Sequence, residues 1–424
     1  MSAESPQYPR EQAIRIIAQV LTDRIPLEDA LERAFADIPT PQHRAWLQEN
    51  CSGVLRWRGR LDGIIDSIAL TKKPSGWMRR ALLVAAYQLC AQDRTNPGRV
   101  VSETVAAVKK KDGEAPARFV NALLRKVSAH AAEWRALAPP PKLASSAGAQ
   151  WASMPEWLWA RLIRDHGETW AVEFAKASLE RPKVWVRARD QAWAEAAKDS
   201  LIAGSVPESY VSDLGGAVPQ WPGFKEGAFF VQDISSQLLV HDICQEALSR
   251  RKGAAPIRAL DLCAAPGGKT AGMAWSGIQV TATDRDEKRL ELLRENVARI
   301  QATNVKVVSR AELAPLELQD LVWVDAPCSG TGIIRRHPDV RWVRQEGELA
   351  GLSKTQDQVI RDGWSKLKPG GLFVYSVCSV LKEEGIQAWE RAKFPAQVLK
   401  TWFLSPQDSP HGDGFWAIMV ESRQ

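Results

Sequence analysis

The chain has 424 residues, enough for two or three domains, and its 45% hydrophobic and 25% charged residues are typical of a globular protein. No stretch approaches the ~20 apolar residues that span a bilayer, and residues 1–7 lack the basic start and apolar run of a signal peptide. We therefore expect a cytoplasmic protein without membrane attachment, whose thiols stay reduced. The six cysteines form no CxxC pair, so the sequence predicts neither a zinc site nor a disulfide framework.

The net charge of +6 comes entirely from the first third of the chain. Residues 1–140 hold 21 basic and 15 acidic side chains, whereas the remaining 284 residues hold 35 of each. This excess is modest, and by itself it fits an ordinary solvated surface. Combined with the motifs described below, it favours a surface that binds nucleic acid.

Residues 1–140 are predicted to form a wholly helical domain that binds RNA. Apolar side chains recur there at helical spacing, as in Ile16, Ile17 and Val20, and no alternating strand pattern interrupts them. Basic residues cluster at the expected helix ends, for example at 109–111. Residues 141–150, which contain proline, serine and glycine but no periodic apolar face, are predicted to be a linker.

Two further parts are predicted after the linker. Residues 151–225 are expected to form a small α+β subdomain with RNA-binding character. Residues 226–424 alternate short apolar runs with helices, which is typical of a doubly wound, Rossmann-like α/β sheet. The expected elements are helices at 156–166, 169–178, 287–300 and 354–366, strands at 184–187, 257–262, 279–283, 305–308, 321–324 and 372–377, and a late antiparallel edge strand at 415–420.

The loop after the strand at 257–262 has the features of a site for an adenosine-type cofactor. It reads Cys263-Ala264-Ala265-Pro266-Gly267-Gly268-Lys269-Thr270 and leads into a helix. Two glycines let a ligand approach the backbone, and the helix N-terminus offers free amides. Asp284, at the end of the next strand, is placed to bind ribose hydroxyls. The pattern is neither GxGxxG nor a P-loop, so NAD and ATP are disfavoured.

Two thiols and a carboxylate follow later strands of the same sheet. Asp325 ends the fourth strand, Pro327 places Cys328 just beyond it, and Cys378 ends the fifth strand. Because the carboxyl ends of parallel strands face the ligand crevice, we expect these side chains to line it. Lys269 is expected to point toward the ligand or toward Asp325.

Three segments, at 263–270, 325–332 and 375–379, resemble the signatures of the NOL1/NOP2/Sun family of RNA cytosine-5 methyltransferases. The helical first third is similar to the NusB-like RNA-binding domain, through residues 51–56 and 119–125. The resemblance implies S-adenosylmethionine as cofactor and a cytosine in RNA as substrate, with 16S ribosomal RNA as the expected partner. We expect a monomer that needs no metal.

The resemblance also implies roles for individual residues. It assigns covalent attack on the cytosine ring to Cys378, release of the product to Cys328, and binding of the base to Asp325, with Lys269 completing the catalytic set. The expected cofactor-binding residues are Cys263, which also has a packing role, Ala264, Ala265, Pro266, Gly267, Gly268, Lys269, Asp284, Arg310 and Asp325. Arg310 stands where the family usually has an acid for the adenine end, and Glu312 is the nearest candidate replacement.

Three alternatives stay open at this point. A DNA cytosine-5 methyltransferase would attack with the Pro-Cys thiol, here Cys328, and would use a Glu-Asn-Val acid. The segment 295–297 has that sequence but precedes Cys328 within a helical pattern, which favours chance. A tRNA cytosine is an alternative substrate. A non-catalytic NusB-like RNA-binding or ribosome assembly factor is an alternative function, supported by Arg310.

Overall fold

The computed structural model describes residues 8–71, 73–189, 191–251, 253–408 and 411–423. The N-terminal segment 1–7, inspected above for targeting signals, lies outside the described residues. The chain divides into two compact units, of which unit 1 comprises Met1–Arg181 and Ile334–Glu346, and unit 2 comprises Pro182–Ile333 and Gly347–Gln424. The predicted order, a helical part followed by a Rossmann-like α/β sheet, is confirmed.

Unit 1 is built from helices around one apolar core. Ten consecutive residues of its fourth helix, 81–90, are buried, so this helix forms the centre of the core built by the helices of residues 8–129. The helices are α1 (Tyr8–Thr22), α2 (Leu27–Ala36), α3 (Pro41–Ile68), α4 (Gly76–Ala91), α5 (Pro97–Asp112), α6 (Glu114–Ala129), α7 (Ala131–Arg135), α8 (Ser146–Ala152), α9 (Glu156–His166), α10 (Glu168–Leu179) and, later in the chain, α15 (Val340–Val343). The helices predicted for the first third and at 156–166 and 169–178 are confirmed.

The chain enters unit 1 a second time at Ile334–Glu346, and this return segment completes its core. Arg341 is 1% exposed, and burial lowers its pKa to about 9. Its guanidinium donates hydrogen bonds of 2.9–3.3 Å to the main-chain carbonyls of Arg56, Ser153, Ser178 and Ile334. Ser153 caps the C-terminus of α8 and Ser178 lies in the last turn of α10, where carbonyls lack an intrahelical partner and favour a cation.

Replacing Arg341 with alanine should destabilise unit 1 by about 3–5 kcal/mol, because four buried carbonyls lose their donor and the packed arginine stem is lost. Urea unfolding followed by tryptophan fluorescence measures the change. Arg15→Ala, on an exposed side chain of α1, is the matched control and should cost less than about 0.5 kcal/mol. Equal stability of the two variants would contradict the structural role of Arg341.

Unit 2 contains two sheets. A small antiparallel sheet has the order β2-β3-β1-β4, and a seven-stranded sheet has the order β10-β11-β9-β8-β5-β6-β7. The strands are β1 (Val184–Ala188), β2 (Leu201–Ala203), β3 (Ser209–Ser212), β4 (Phe229–Val231), β5 (Arg258–Asp261), β6 (Gln279–Ala282), β7 (Val305–Val307), β8 (Gln319–Asp325), β9 (Leu367–Val377), β10 (Ala396–Leu404) and β11 (Phe415–Ser422). The helices are α11 (Gln191–Ala196), α12 (Ile234–Ser249), α13 (Gly268–Trp275), α14 (Glu287–Arg299), α16 (Leu349–Trp364) and α17 (Ile386–Ala392).

The central strands of the large sheet are parallel and buried on both faces. Alternate residues of β8 belong to different clusters, since Leu321 and Trp323 pack with α12 whereas Val322 and Val324 pack with α16. Burial on two faces explains why these strands read as continuous apolar runs in the sequence. Within the described ranges, no helix combines the length and apolar character needed to cross a bilayer.

The strand expected at 415–420 is antiparallel as predicted, but its expected edge position is wrong. The structure places β10 outside β11, so β11 lies between two partners. Most side chains of β10 are exposed or half-exposed, and Val398 is 54% exposed. The sequence of β10 therefore lacks the alternation of apolar and polar residues that would have predicted a strand. The domain limits at 140, 150 and 225 stay predictions. The chain first passes from unit 1 to unit 2 between Arg181 and Pro182.

Candidate functional site

Parallel strands of unit 2 bring the predicted residues to one edge of the sheet. Asp261 ends β5, Asp325 ends β8, and Cys378 directly follows β9. The pairing of β5 with β8 and of β8 with β9 is parallel, so these carboxyl ends are neighbours. Asp284 follows β6, the other parallel neighbour of β5. The edge is therefore rich in carboxylates and thiols, as the sequence predicts.

The two thiols lie in contact. The Sγ atoms of Cys328 and Cys378 are 3.3 Å apart, and both side chains are partly buried. The pKa of the Cys328 thiol is raised well above its ordinary value by the hydrogen bond to Cys378, by burial, and by the negative charges of Cys378 and Glu384. Cys328 therefore keeps its proton at neutral pH while Cys378 lies beside it.

Asp325 is held by two donors from neighbouring elements. Lys269 Nζ lies 2.6 Å from Asp325 Oδ2, and the Ser376 hydroxyl donates to Oδ1 at 2.6 Å. Ser376 in turn accepts a 3.0 Å hydrogen bond from the Trp323 indole. Burial lowers the pKa of Lys269, but the negative charges of Asp325, Asp261 and Cys378 outweigh burial and raise it overall. Of the two directions expected for Lys269, the structure shows the one toward Asp325.

Neighbouring side chains pack closely against the two glycines of the loop. Gly267 caps α13 with φ +109°, a conformation that favours glycine, and a Cβ on Gly268 would lie 2.9 Å from the Gln232 amide nitrogen. Asp284, 5% exposed, accepts a 3.3 Å hydrogen bond from the Ala265 amide. These glycines, the start of α13 and the acid beside them fit an adenosine-type cofactor.

The remaining loop residues pack around this acid. Asp284 also lies 3.5 Å from Arg289, whose guanidinium donates to the Ala265 carbonyl at 2.7 Å. The Cys263 thiol, mostly buried, has its pKa raised to about 12 by burial and by the nearby charges of Asp284, Asp325 and Asp261. Burial of this thiol agrees with a packing role.

The adenine end expected near β7 carries a paired arginine. Arg310 begins a short 3-10 turn, Arg310–Leu313, and lies 3.3 Å from the carboxylate of Asp362 on α16. Glu312, the candidate replacement acid, instead accepts hydrogen bonds of 2.8 Å from the amide and hydroxyl of Ser309 and caps this turn. Asp362, which the sequence did not single out, is therefore the carboxylate that accompanies Arg310.

The Glu-Asn-Val segment 295–297 lies within α14, as the helical pattern predicts. The Asn296 side chain donates a 3.0 Å hydrogen bond to the Pro266 carbonyl, so this residue supports the glycine loop. Glu295, the acid of this segment, is exposed on α14.

Two buried acids were missed as site residues. Asp261 is fully buried; one oxygen accepts from the Thr270 hydroxyl at 2.7 Å and the other meets no donor among the described residues. Glu384 is also fully buried and accepts hydrogen bonds from both cysteine loops. The position of Asp261 at a strand end was a usable signal. Nothing in the sequence separates Glu384 from the adjacent Glu383.

The described residues contain no group of three or more His, Cys, Asp and Glu side chains able to hold a metal ion. The site itself presents two thiols, several carboxylates and one lysine. This set suits addition of a thiolate to an electrophilic ring, with carboxylates and lysine to orient the ring.

Comparison with known proteins matches both parts of the chain. The family model described as 16S rRNA methyltransferase RsmB/F matches residues 251–402, and the NusB family model matches residues 7–129. Ribosomal RNA small subunit methyltransferase B of Vibrio cholerae is 34% identical over 88% of this chain and 86% of its own length. The protein of the same name from Yersinia enterocolitica is 31% identical and covers 98% of both chains.

Solved structures share the fold. The crystal structure of PH0851 superposes with a TM-score of 0.71 at 23% identity and covers 100% of both chains. The structure of NSun6 from Pyrococcus horikoshii with SFG gives a TM-score of 0.54 at 16% identity, over 64% of this chain and 98% of that one. At these identities the likeness concerns the fold alone.

Asp261→Asn should change how stability depends on pH. Burial raises the pKa of Asp261 from 3.8 to about 7, so the folded state favours the protonated acid. The contribution of Asp261 to the free energy of unfolding is fully present below about pH 4 and is lost as the pH rises to about 7. The loss is at most about 4 kcal/mol. The asparagine variant lacks this loss, so its stability relative to wild type should rise over that interval.

Urea unfolding at several pH values between 4 and 8 measures this difference. Asp199→Asn, on an exposed side chain of unit 2, is the control and should follow wild type throughout. Parallel curves for Asp261→Asn and wild type would refute the raised pKa.

Proposed function

Because the chain belongs to the 16S rRNA methyltransferase RsmB/F family, we propose that it methylates carbon 5 of a cytosine in small-subunit ribosomal RNA. The observation that carries the cytosine-5 chemistry is the pair of thiols 3.3 Å apart beside Asp325. Carbon 5 of cytosine is a weak nucleophile, and thiolate addition at carbon 6 converts the ring into an enamine that reacts at carbon 5. A second thiol next to the first serves the reverse step.

Cys378 forms the bond to carbon 6, as the family resemblance implies, and Cys328, whose pKa is raised by its hydrogen bond to Cys378, by burial and by the charges that face it, is its protonated neighbour. The electrons of the 5,6 double bond then become available at carbon 5. S-adenosylmethionine, held by the loop 264–268 and Asp284, supplies the electrophilic methyl group when bound. The target base must be unpaired or flipped out of its helix to reach this crevice.

Asp325 orients the base. Its carboxylate, fixed by Lys269 and Ser376, would accept a hydrogen bond from the exocyclic amine, and the Lys269 ammonium beside it would stabilise the negative charge that develops on the ring as the thiolate adds. Lys269 balances the carboxylate charge in a largely buried setting, where it keeps its own proton. The pair is thus ordered before the base arrives, which lowers the reorganisation that the reaction requires.

Cys328 acts in the release step. Two causes of its raised pKa are the hydrogen bond to Cys378 and the charge of that sulfur, and both disappear once Cys378 is bonded to carbon 6. Cys328 is then released from its hydrogen bond to Cys378, and after it has given its proton to solvent it acts as the base for the proton on carbon 5. As that proton leaves, the double bond re-forms, the carbon 6–sulfur bond breaks, and Cys378 departs as a thiolate.

This order of events predicts different defects for the two thiols. Cys378→Ala should form no 5-methylcytosine, because no adduct is made. Cys328→Ala should make the adduct but fail to release it, so that a protein–RNA complex survives denaturing electrophoresis. Cys90→Ala, which removes a buried thiol in the core of unit 1, is the control and should keep both steps.

Methylation of 16S ribosomal RNA and of tRNA by the purified protein, with 5-methylcytosine mapped by sequencing, measures both the product and the substrate class. Normal turnover by Cys328→Ala would contradict its release role. A methylated tRNA position without ribosomal RNA product would favour the tRNA alternative.

A groove in unit 1 supports RNA binding by the helical part. Its volume is about 710 Å³, and its lining combines six basic side chains, of which Arg56 and Arg60 are buried, with the half-exposed ring of Trp57 and the buried ring of Tyr87. The basic residues are Arg56, Arg60, Arg94, Arg135, Lys176 and Arg181, against three acids, Glu49, Asp93 and Glu180. A net positive groove with aromatic surface suits phosphates and unpaired bases.

Arg94→Glu should weaken RNA binding by roughly five- to tenfold at low salt and make it less salt-dependent, because an exposed cation in the groove is lost. Arg33→Glu makes the same change on an exposed side chain of α2 and should bind nearly as wild type. Fluorescence anisotropy with a labelled 16S fragment across a salt series checks both. Equal binding by the two variants would exclude the groove.

A further inference from the structure

Glu384 connects the loops that carry the two thiols of unit 2. Its Oε1 accepts hydrogen bonds from the Ser329 amide at 2.8 Å and from the Gln356 side chain at 3.1 Å. Its Oε2 accepts from the hydroxyls of Ser329 at 2.5 Å and Ser379 at 2.6 Å. Ser329 directly follows Cys328 and Ser379 directly follows Cys378, so one carboxylate holds the residue next to each sulfur.

The contacts of Glu384 extend to the other side of Cys328. The Gln356 amide that donates to Glu384 also donates to the Pro327 carbonyl at 3.0 Å. The Tyr375 hydroxyl donates to the main-chain carbonyl of Glu384 at 2.5 Å. The residues before and after Cys328 are therefore both tied, directly or through Gln356, to a fully buried carboxylate.

A buried carboxylate is costly unless donors saturate it, and packing alone does not require a charge here. Hydrogen bonds to an ionised acceptor are short and stiff, which suits a group that has to fix the distance between two loops. We propose that Glu384 is the positioning residue of the thiol pair and holds Cys328 against Cys378 at the separation that their successive steps require. This role rests on the proposed function, since it serves two-thiol chemistry.

The charge of Glu384 has a second consequence for the pair. Cys328 is faced by Cys378, by Glu384 and by the hydroxyl of Tyr375. The hydrogen bond to Cys378 and burial are the largest causes of the raised pKa of Cys328, and the negative charges of Cys378 and Glu384 raise it further. Glu384 thus helps to keep the proton on Cys328 while Cys378 attacks.

Two substitutions separate the hydrogen bonds from the charge. In Glu384→Gln the amide oxygen can face the two N–H donors, and the amide nitrogen can face the two hydroxyls, which rotate to accept. This variant keeps four hydrogen bonds without the charge, whereas Glu384→Ala removes both. Glu390→Gln, on an exposed side chain of α17, is the matched control.

The experiment measures kcat and KM on a 16S fragment, the denaturant-resistant RNA complex, and the rate of Cys328 alkylation by iodoacetamide against pH. Glu384→Ala should lose roughly 100-fold in kcat with little change in KM, because misplaced groups cost about this much. It should also accumulate the covalent complex, since release needs Cys328 in place. Glu384→Gln should lose less kcat, and its Cys328 should be alkylated at lower pH than in wild type.

Wild-type kcat in a folded Glu384→Ala protein would overturn the proposal. If the alanine variant does not fold, the Glu384→Gln variant tests the proposal instead. A kcat and an alkylation profile identical to those of Glu390→Gln would overturn the proposal. Failure of the proposed function looks different, because the wild-type protein would then form no 5-methylcytosine. The alkylation profiles still test the placement of Cys328 in that case, since they need no RNA.

Discussion

The parallel pairing of β8 with its two neighbours is the constraint on which the site depends. Because β5, β8 and β9 run in one direction, their carboxyl ends coincide, and Asp261, Asp325 and Cys378 meet at one edge. Cys328 reaches the same edge through the loop after β8, and its sulfur lies 3.3 Å from that of Cys378. If β8 and β9 were antiparallel, their carboxyl ends would lie at opposite edges of the sheet and the two thiols would be far apart.

Acidic groups in a largely buried setting determine the chemistry of this edge. Asp261, Asp325 and Glu384 lie around two thiols, and Lys269 is the cation that faces Asp325. Burial opposes ionisation of acids and thiols alike, and hydrogen-bond donors offset this cost. Asp325 accepts from Lys269 and Ser376, and Glu384 accepts four hydrogen bonds, whereas one oxygen of Asp261 meets no donor within the described part of the chain. The division of labour between the thiols that we propose follows from this distribution.

Much of the molecule was predictable where local pattern and local chemistry agree. Helical periodicity predicted the first third, and apolar runs predicted the parallel strands, because these strands are buried on both faces. β10 escaped prediction because it is an exposed edge strand, and β11 was misplaced as the edge for the same reason. The second entry of the chain into unit 1 was also invisible, because Arg341 is stabilised by carbonyls distant in sequence.

The sequence by itself determined the strand ends, the glycine loop and the residues that carry reactive groups, since motifs of this kind are written in short contiguous segments. Tertiary structure decided which of those groups touch. It paired Lys269 with Asp325, set Asp362 beside Arg310, and made Glu384 rather than Glu383 the buried acceptor between the thiol loops. The reason is that most of these hydrogen-bond partners lie 28 to 56 positions apart along the chain, and local spacing carries no record of them.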